Sequence, residues 1–308
     1  MRCVLDGVPR NGRKWEIGKM AGDRATGPVV VTGVSTGIGR ACAQNLIASG
    51  RRVFGSVRKE ADAARLQAEL GDGFTPLIFD VTDEAAASAA AEQVASALAG
   101  ETLAGLVNNA GVAVSGPLMH IPLDELREQV EINVIAMVSV TQKFLPLLGA
   151  RQGHEGPKGR IVNISSTSGR RAMPFLGPYS ISKFGVEALS EALRRELMIY
   201  GVDVLVVAPG PIKTAIWEKA EQTDVERYAG TAFYEPLKKF QNMAVSMGGR
   251  GLPAEKVAAV IAEALFSASP KTRYRITPST LQDVVVPSLL PTRMLDRIVA
   301  KTLGLLKK

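Results

Sequence analysis

Between residues 27 and 270, short β-branched or apolar runs alternate with longer stretches of helical character. Val29-Val30-Val31 leads through Thr32-Gly33-Val34-Ser35-Thr36-Gly37-Ile38-Gly39 into a helix-forming stretch that ends at Ala48. Arg52–Val57 reads as a second strand, followed by a helix over 61–70. Thr75–Thr82 reads as a third strand ending at Asp80, with an alanine-rich helix over 83–99 behind it. Leu103–Val107 is a fourth strand running into Asn108-Asn109-Ala110-Gly111, and a long helix over roughly 124–148 contains Asn133. The fifth and sixth strands, Arg160–Ile164 and Val202–Val207, deliver Ser165-Ser166 and Ala208-Pro209-Gly210-Pro211-Ile212-Lys213-Thr214. This alternation predicts an α/β fold, a doubly wound parallel sheet flanked by helices, with its ligand crevice at the carboxyl ends of the strands. The polar signatures all fall at such ends.

The two ends of the chain follow other patterns. Residues 1–26 are polar, contain glycine and lack periodicity, which predicts a flexible extension; Met20 is an alternative start. Residues 281–308 form a tail with Val284-Val285-Val286, Leu289-Leu290 and an amphipathic helix from Pro291. Leu295, Ile298, Val299, Leu303 and Leu306 are expected on one face of it, with Arg293, Arg297, Lys301, Lys307 and Lys308 toward water or anionic headgroups. One domain, 27–280, with an insertion at 214–252, lies between the two ends.

A chain of 308 residues with 46% apolar content can bury one large core. Two cysteines, Cys3 and Cys42, exclude a disulfide framework, and His120 and His154 lack ligand spacing, so no metal site is expected. The formal charge of +7 belongs to the ends: residues 1–24 carry a net +3 and residues 271–308 a net +6. The intervening chain is slightly acidic, which argues against nucleic-acid binding. No secretory apolar run opens the chain and no stretch is read as a membrane span, so a reducing, cytoplasmic setting is expected.

Three patterns carry chemistry. The Gly-x-x-x-Gly-x-Gly turn after the first strand lets backbone approach a pyrophosphate, and the helix behind it offers free N–H groups. After the second strand, where a cofactor without a 2′-phosphate would meet an acidic residue, the chain offers Val57 and then Arg58. A guanidinium there suits NADP, with NAD as the alternative. In Tyr179-Ser180-Ile181-Ser182-Lys183 a phenol and an ammonium four residues apart project from one helix face. The cation favours phenolate, so the tyrosine is expected to exchange protons as a general acid or base.

With these pieces in order, the sequence resembles the short-chain dehydrogenase/reductase family. The resemblance rests on Thr32-Gly33-x-x-x-Gly37-Ile38-Gly39, Asp80-Val81, Asn108-Asn109-Ala110-Gly111, Asn133, Ser166, Tyr179-x-x-x-Lys183 and Pro209-Gly210-x-x-x-Thr214, and covers roughly residues 27–270. It implies a Rossmann-type fold and a set of roles. Tyr179 would pass a proton to a carbonyl or take one from an alcohol, with Lys183 lowering its pKa and holding the nicotinamide ribose. Ser166 would bond the substrate oxygen, Ser165 would be structural, and Asn133 would sustain a water relay to Lys183. Gly33, Ser35, Gly37, Ile38 and Gly39 would line the phosphates and nicotinamide entry, and Asp80 and Val81 the adenine. Asn108, Ala110 and Gly111 would border the ribose, with Pro209, Gly210, Ile212 and Thr214 toward the carboxamide. Relatives committed to NADP often carry a base where Thr36 stands, which leaves Arg58 to supply most of the selectivity.

Between Thr214 and Pro253 lie Ile216, Trp217, Tyr228, Phe233, Tyr234, Phe240, Met243 and Met247; with Met173 and Phe175 they predict an apolar pocket. This insertion, Pro253-x-x-Val257 and Lys271-Thr272-Arg273-Tyr274 are similar to the branch acting on steroids, retinoids and other lipophilic alcohols. The implied function is NADP(H)-dependent interconversion of a lipophilic secondary alcohol and its carbonyl, in a homodimer or homotetramer formed through the helices at 124–145 and 180–199. Weak peripheral membrane contact by the tail is a further hypothesis. The competing readings are a non-catalytic dinucleotide-binding module, which has no need of a proton relay, and an epimerase or dehydratase, which has a different glycine spacing.

Overall fold

The computed structural model describes residues 27–213, 224–279 and 286–306. The N-terminal extension, Thr214, Ile216, Trp217, the side chain of Met247, Val284, Val285, Lys307 and Lys308 lie outside the described residues.

Seven parallel strands form one sheet: β1 (Val29–Val31), β2 (Val53–Val57), β3 (Phe74–Ile78), β4 (Gly105–Asn108), β5 (Arg160–Ile164), β6 (Asp203–Pro209) and, beyond a short pair described below, Arg273–Ile276. Their spatial order is β3-β2-β1-β4-β5-β6 and then the Arg273–Ile276 strand. The order reverses between β1 and β4; β1 pairs with β2 on one side and β4 on the other, Val29 standing opposite Val53 and Gly105. A crevice opens at such a reversal because the connections leave in opposite directions. The crossovers are α1 (Gly37–Ala48), α2 (Glu60–Leu70), α3 (Glu84–Leu98) and the long element that begins with α4 (Leu123–Val130). That element passes through a π-helical segment, Glu131–Ile135, into α5 (Ala136–Phe144); α6 (Gly177–Glu196) follows β5.

After β6, the two-residue strands β7 (Ile212–Lys213) and β8 (Leu252–Pro253) pair and bracket α7 (Tyr234–Gly249). Then come α8 (Ala254–Phe266), the seventh sheet strand, β9 (Arg273–Ile276), and α9 (Thr292–Leu303). The sequence reading did not contain β9: Arg-Tyr-Arg-Ile offers only two apolar positions, and an edge strand needs no more. The third strand stops at Ile78, so Asp80 stands in the turn beyond it, and the fourth runs to Asn108.

The sheet divides the core in two. On one face α1 and α8 pack Ala41, Cys42, Leu46, Val257, Ile261 and Leu265 against Val29 and Val31; on the other, Val94, Leu98, Val140 and Phe144 cover Val30, Leu106 and Ile161. The stretch Leu123–Leu148 is long and apolar enough to cross a membrane, contrary to the sequence reading. Part of its apolar surface is covered within the protein: α5 packs on α3 and β4, and Phe144 and Leu148 are fully buried, while Leu123 and Ile135 stay exposed. Arg160, buried at the start of β5, clamps the last helix of the sheet body. Its Nη1 donates to the carbonyls of Leu265 (2.8 Å) and Ser267 (2.7 Å) at the end of α8, and its Nε to Asp203 Oδ2 at 3.1 Å. A cation at a helix C-terminus meets both the unpaired carbonyls and the negative end of the dipole.

Candidate active site

The glycine turn between β1 and α1 is shaped by side chains from its neighbours. Thr32 Oγ1 accepts the N–H groups of Asn109 (2.9 Å) and Ala110 (3.0 Å), while Asn109 Nδ2 donates to the carbonyls of Thr32 (2.9 Å) and Gly33 (3.0 Å). Gly33 N donates to Ser56 Oγ on β2 at 2.9 Å. Gly33 adopts φ +69°, and a Cβ there would come within 2.9 Å of Ala110 Cα. A Cβ on Gly39 would lie 2.2 Å from Gly33 O. Thr36, which precedes α1, makes no side-chain cap bond, so the first-turn N–H groups beside Ser35, Gly37 and Ile38 are left for an anion. The turn thus fits the pyrophosphate of a dinucleotide.

At the end of β2, Arg58 is 68% exposed and its Nη1 lies 3.8 Å from Asp80 Oδ2. Burial opposes the Asp80 charge, yet bonds from Thr82 and the Arg58 cation hold its carboxyl below the usual range. Val81 packs on the α3 side of the core. Sequence reasoning passed over Arg65, which reaches from α2 to Ser35 O at 3.0 Å and pairs with Asp62 and Glu69; Glu69 also takes Arg40 of α1 at 2.9 Å. Its only sequence signal was the four-residue spacing to Glu69. Asn108 is a correction: its amide donates to Thr141 Oγ1 and Asn163 Oδ1, both at 2.9 Å, so its side chain braces the sheet and is not free for a ribose. Ala110 seats against Gly33, and Gly111 against Asn133 Oδ1, where a Cβ would stand at 3.0 Å. Gly210 N donates to Ile276 O at 2.8 Å, tying the Pro209-Gly210 turn to β9; the Ile212 side chain is buried in the α1/α8 cluster.

Ser166, Tyr179 and Lys183 converge at the end of β5. Lys183 Nζ, buried, donates to Ile164 O at 2.9 Å and sits 5.7 Å from the Tyr179 ring centroid. Desolvation lowers its pKa to about 8, opposed by the carboxylate of Glu187. Burial raises the Tyr179 phenol above its ordinary value, opposed by the Ser166 hydroxyl, which hydrogen-bonds the phenol oxygen. The net direction is opposite to the one expected from the Tyr–Lys spacing, because stripping water from a phenolate outweighs the hydrogen bond from Ser166. Asn133, fully buried in the π-helical segment, spends its amide on structure: Oδ1 accepts Val112 N, and Nδ2 donates to Val112 O (2.9 Å) and Ser182 Oγ (3.0 Å). Gln129, which sequence reasoning missed, does the same for Val114 N at 2.6 Å and Val112 O at 2.8 Å. Ser182 Oγ in turn donates to Tyr179 O at 2.8 Å, so this network seats the catalytic helix.

Beside the site stands a third apolar cluster: Phe175, Val225, Tyr228, Leu237, Phe240, Ala244 and Leu303. Phe233, Tyr234 and Met243 pack on it half-buried. Phe175 enters α6 at φ 68°, a conformation that costs a side-chain-bearing residue on the order of 1 kcal/mol. It is held there by the Phe240 ring at 5.7 Å, the Phe233 ring at 6.3 Å and a bond from Gly116 N at 2.8 Å. The tail closes the cluster from outside through Leu303, Val299 and Leu305. The expected apolar face is therefore split: Ile298 and Leu306 point outward.

A family model described as short chain dehydrogenase matches residues 28–225. The chain belongs to the short-chain dehydrogenase/reductase family. It is 46% identical over 274 residues to an NADPH-dependent 3-dehydrocapnine reductase of Ornithobacterium rhinotracheale, covering 89% of this chain and 96% of that one. It is 32% identical to retinol dehydrogenase 7 of Rattus norvegicus, covering 88% and 87%. The crystal structure of a short-chain dehydrogenase from Streptomyces avermitilis superposes with a TM-score of 0.69 at 26% identity, covering 90% and 94%.

This short-chain dehydrogenase is an NADP(H)-dependent oxidoreductase, and its residues divide the work. NADPH bound along the glycine turn would supply the hydride. The turn and the α1 N-terminus would hold its phosphates, and Arg58, where β2 ends, would meet the 2′-phosphate. Ser166 and the Tyr179 hydroxyl would meet the charge that develops on the substrate oxygen, with Tyr179 carrying the proton. Lys183 places a cation next to that phenol in a water-poor setting, where it acts more strongly than in bulk solvent.

Proposed function

We propose that the enzyme reduces a lipophilic ketone with NADPH, Tyr179 being the proton donor and the Phe175–Phe240 lobe receiving the apolar part of the substrate. The observation that carries the reading is the convergence of Ser166, Tyr179 and Lys183 at the end of β5, four residues from Phe175 of the apolar lobe; the reducing direction follows the 46%-identical relative, an NADPH-dependent reductase. The apolar rings beside it favour a lipophilic partner. 3-Dehydrocapnine, named for the 46%-identical relative, heads the compounds to try, with retinal and a ketosteroid as alternatives. NADPH oxidation would be followed across this panel in the parent and in Tyr179→Phe. Turnover of one compound by the parent alone supports the reading; equal rates in both proteins overturn it. With the Asn133 amide committed, the relay to Lys183 falls to the Asn133 backbone carbonyl, in a π-helical segment where the regular ladder is interrupted.

We further propose that the enzyme works in the cytoplasm as a homo-oligomer. Ile135, Ile181 and Phe184 are large, exposed apolar residues on the π-helical segment and on α6, which pack on one another. Exposed apolar side chains on two elements that pack together are what a symmetric dimer would bury. Light scattering on Phe184→Glu would return a smaller mass than the parent, and an unchanged mass removes this interface.

The tail supplies a contact with anionic lipid. Leu295, Val299 and Leu303 recur every fourth residue and face the lobe, which turns Arg293, Arg297 and Lys301 outward together with Met294 (51% exposed) and Ile298 (45%). Cations interleaved with two apolar side chains suit a headgroup layer. Cosedimentation with anionic vesicles would be lost in Arg293→Glu/Arg297→Glu/Lys301→Glu; equal sedimentation of the two proteins disposes of the contact.

A further inference from the structure

Behind the catalytic helix lies a charged cluster that the reaction chemistry above does not use. Tyr179, Lys183 and Glu187 are spaced by four along α6 and line one face. Glu187 is 9% exposed. Its Oε2 is paired with Arg273 Nη1 from β9 and, at 3.4 Å, accepts from Arg170 Nε in the loop after Ser166. Its Oε1 is buried and has no hydrogen-bond partner among the described residues. The loop packs directly on this pair: a Cβ on Gly169 would lie 2.8 Å from Lys183 O and 3.1 Å from Glu187 Cγ. Ser166, at the root of the same loop, accepts Ser168 N at 3.1 Å and bonds Tyr179.

The charges that act here come from three elements: Lys183, with Tyr179 beyond it, from α6; Arg170 from the loop; and Arg273, beside Arg275, from β9. Lys183 is buried and Arg273 is 14% exposed. Two cations so poorly hydrated repel one another unless an anion stands between them. Glu187 is the anion set beside both: one helical turn from Lys183 and paired with Arg273. Replaced by a neutral group, it would leave this group of cations without its counter-charge.

We propose that Glu187 is a positioning residue of the active site, whose carboxylate stands one helical turn from Lys183 and, through Arg170 and Arg273, locks the Ser166 loop and the last sheet strand onto the catalytic helix. The proposal rests on the Tyr179/Lys183 reading of the chemistry. A residue needed only for packing would change stability or overall rate. One that sets the charge beside Lys183 also moves the pH profile, and the sign is fixed. Removing an anion next to a coupled proton-binding pair makes both members release their proton more readily, so the alkaline limb moves down whichever of them it reports. Removing a neighbouring cation moves it up.

The experiment is the pH dependence of kcat at saturating NADPH, with the ketone turned over in the panel, for the parent, Glu187→Gln, Glu187→Asp and Arg273→Met. NADPH dissociation constants against pH, by nucleotide fluorescence, and melting temperatures accompany each profile. In Glu187→Gln the alkaline limb should fall by about one pH unit, and in Arg273→Met it should rise. Glu187→Asp, which keeps the charge, should restore the parent limb. Limbs that stay in place in both neutralised variants, or that move in the same direction, overturn the proposal. If Glu187→Gln does not fold, Arg273→Met decides: an upward shift supports the role, and no shift or a downward one removes it. Tyr179→Phe in the same series separates the two levels of the argument. Full activity in that variant would remove the Tyr/Lys chemistry itself, whereas its loss with unmoved limbs removes the role of Glu187 alone.

Discussion

Around β1 and β4 the site is tied together by directed bonds: Thr32 to Asn109 and Ala110, Asn133 to Val112, Gln129 to Val114. In the lobe, Phe175, Tyr228 with Phe240, and Leu303 come from three separate parts of the chain and meet through apolar contact. A hydrogen bond fixes distance and angle, whereas apolar burial is non-directional and rewards area. The sheet body therefore sets atomic positions for a cofactor and a proton. The lobe sets only how much greasy surface is covered, which leaves room for the substrate to differ between relatives.

Substitutions on either side of that boundary should behave differently, and the largest effect belongs to the body. Tyr179→Phe should lower kcat by a factor on the order of 10²–10⁴ while leaving the NADPH dissociation constant unchanged; a matching loss of cofactor affinity would show that the two halves are not separable there. Arg160→Met leaves the carbonyls of Leu265 and Ser267 without their donor and should cost about 2–3 kcal/mol in denaturant unfolding. Leu303→Ala opens a cavity in the lobe worth about 2–4 kcal/mol locally, so the KM for a lipophilic ketone should rise with NADPH affinity unmoved. A parallel loss of NADPH affinity would mean that the lobe is mechanically part of the body. Arg58→Ala should weaken NADPH about tenfold and NADH hardly at all, and an unchanged ratio would assign the selectivity elsewhere.

A thiol in the body gives a finer separation. Burial pushes the Cys42 thiol up to about 12, so in a Cys3→Ser background it should react with a thiol reagent only when the body opens. Arg160→Met should accelerate that reaction and Leu303→Ala should not.

The strands, the glycine turn and the Tyr179/Lys183 helix could be read from the sequence because each has a local signature: a β-branched run, a glycine spacing, a separation of four. What was misread depends on parity or on distant partners. Asn108 and Asn109 are adjacent at a strand end, so their side chains leave opposite faces. Asn108 shares the side of Leu106, which packs toward α5, and Thr141 duly takes its amide. The parity was visible, but the partners were not. Arg65, Gln129 and Glu187 look like ordinary helix residues until Ser35, Val114 and Arg273 arrive from elsewhere in the chain. The tail was legible as amphipathic, but its inward face was fixed by Phe240 and Ala244, and no local pattern says where a lobe will stand.

The double clasp between Thr32 and Asn109 has a thermodynamic corollary. Because these bonds shape the glycine turn from within the protein, the conformational freedom of the turn is surrendered when the chain folds, and not when a nucleotide arrives. Cofactor capture should then resemble a key entering a finished lock: little ordering entropy on binding, and a heat-capacity change no larger than the buried nucleotide surface accounts for.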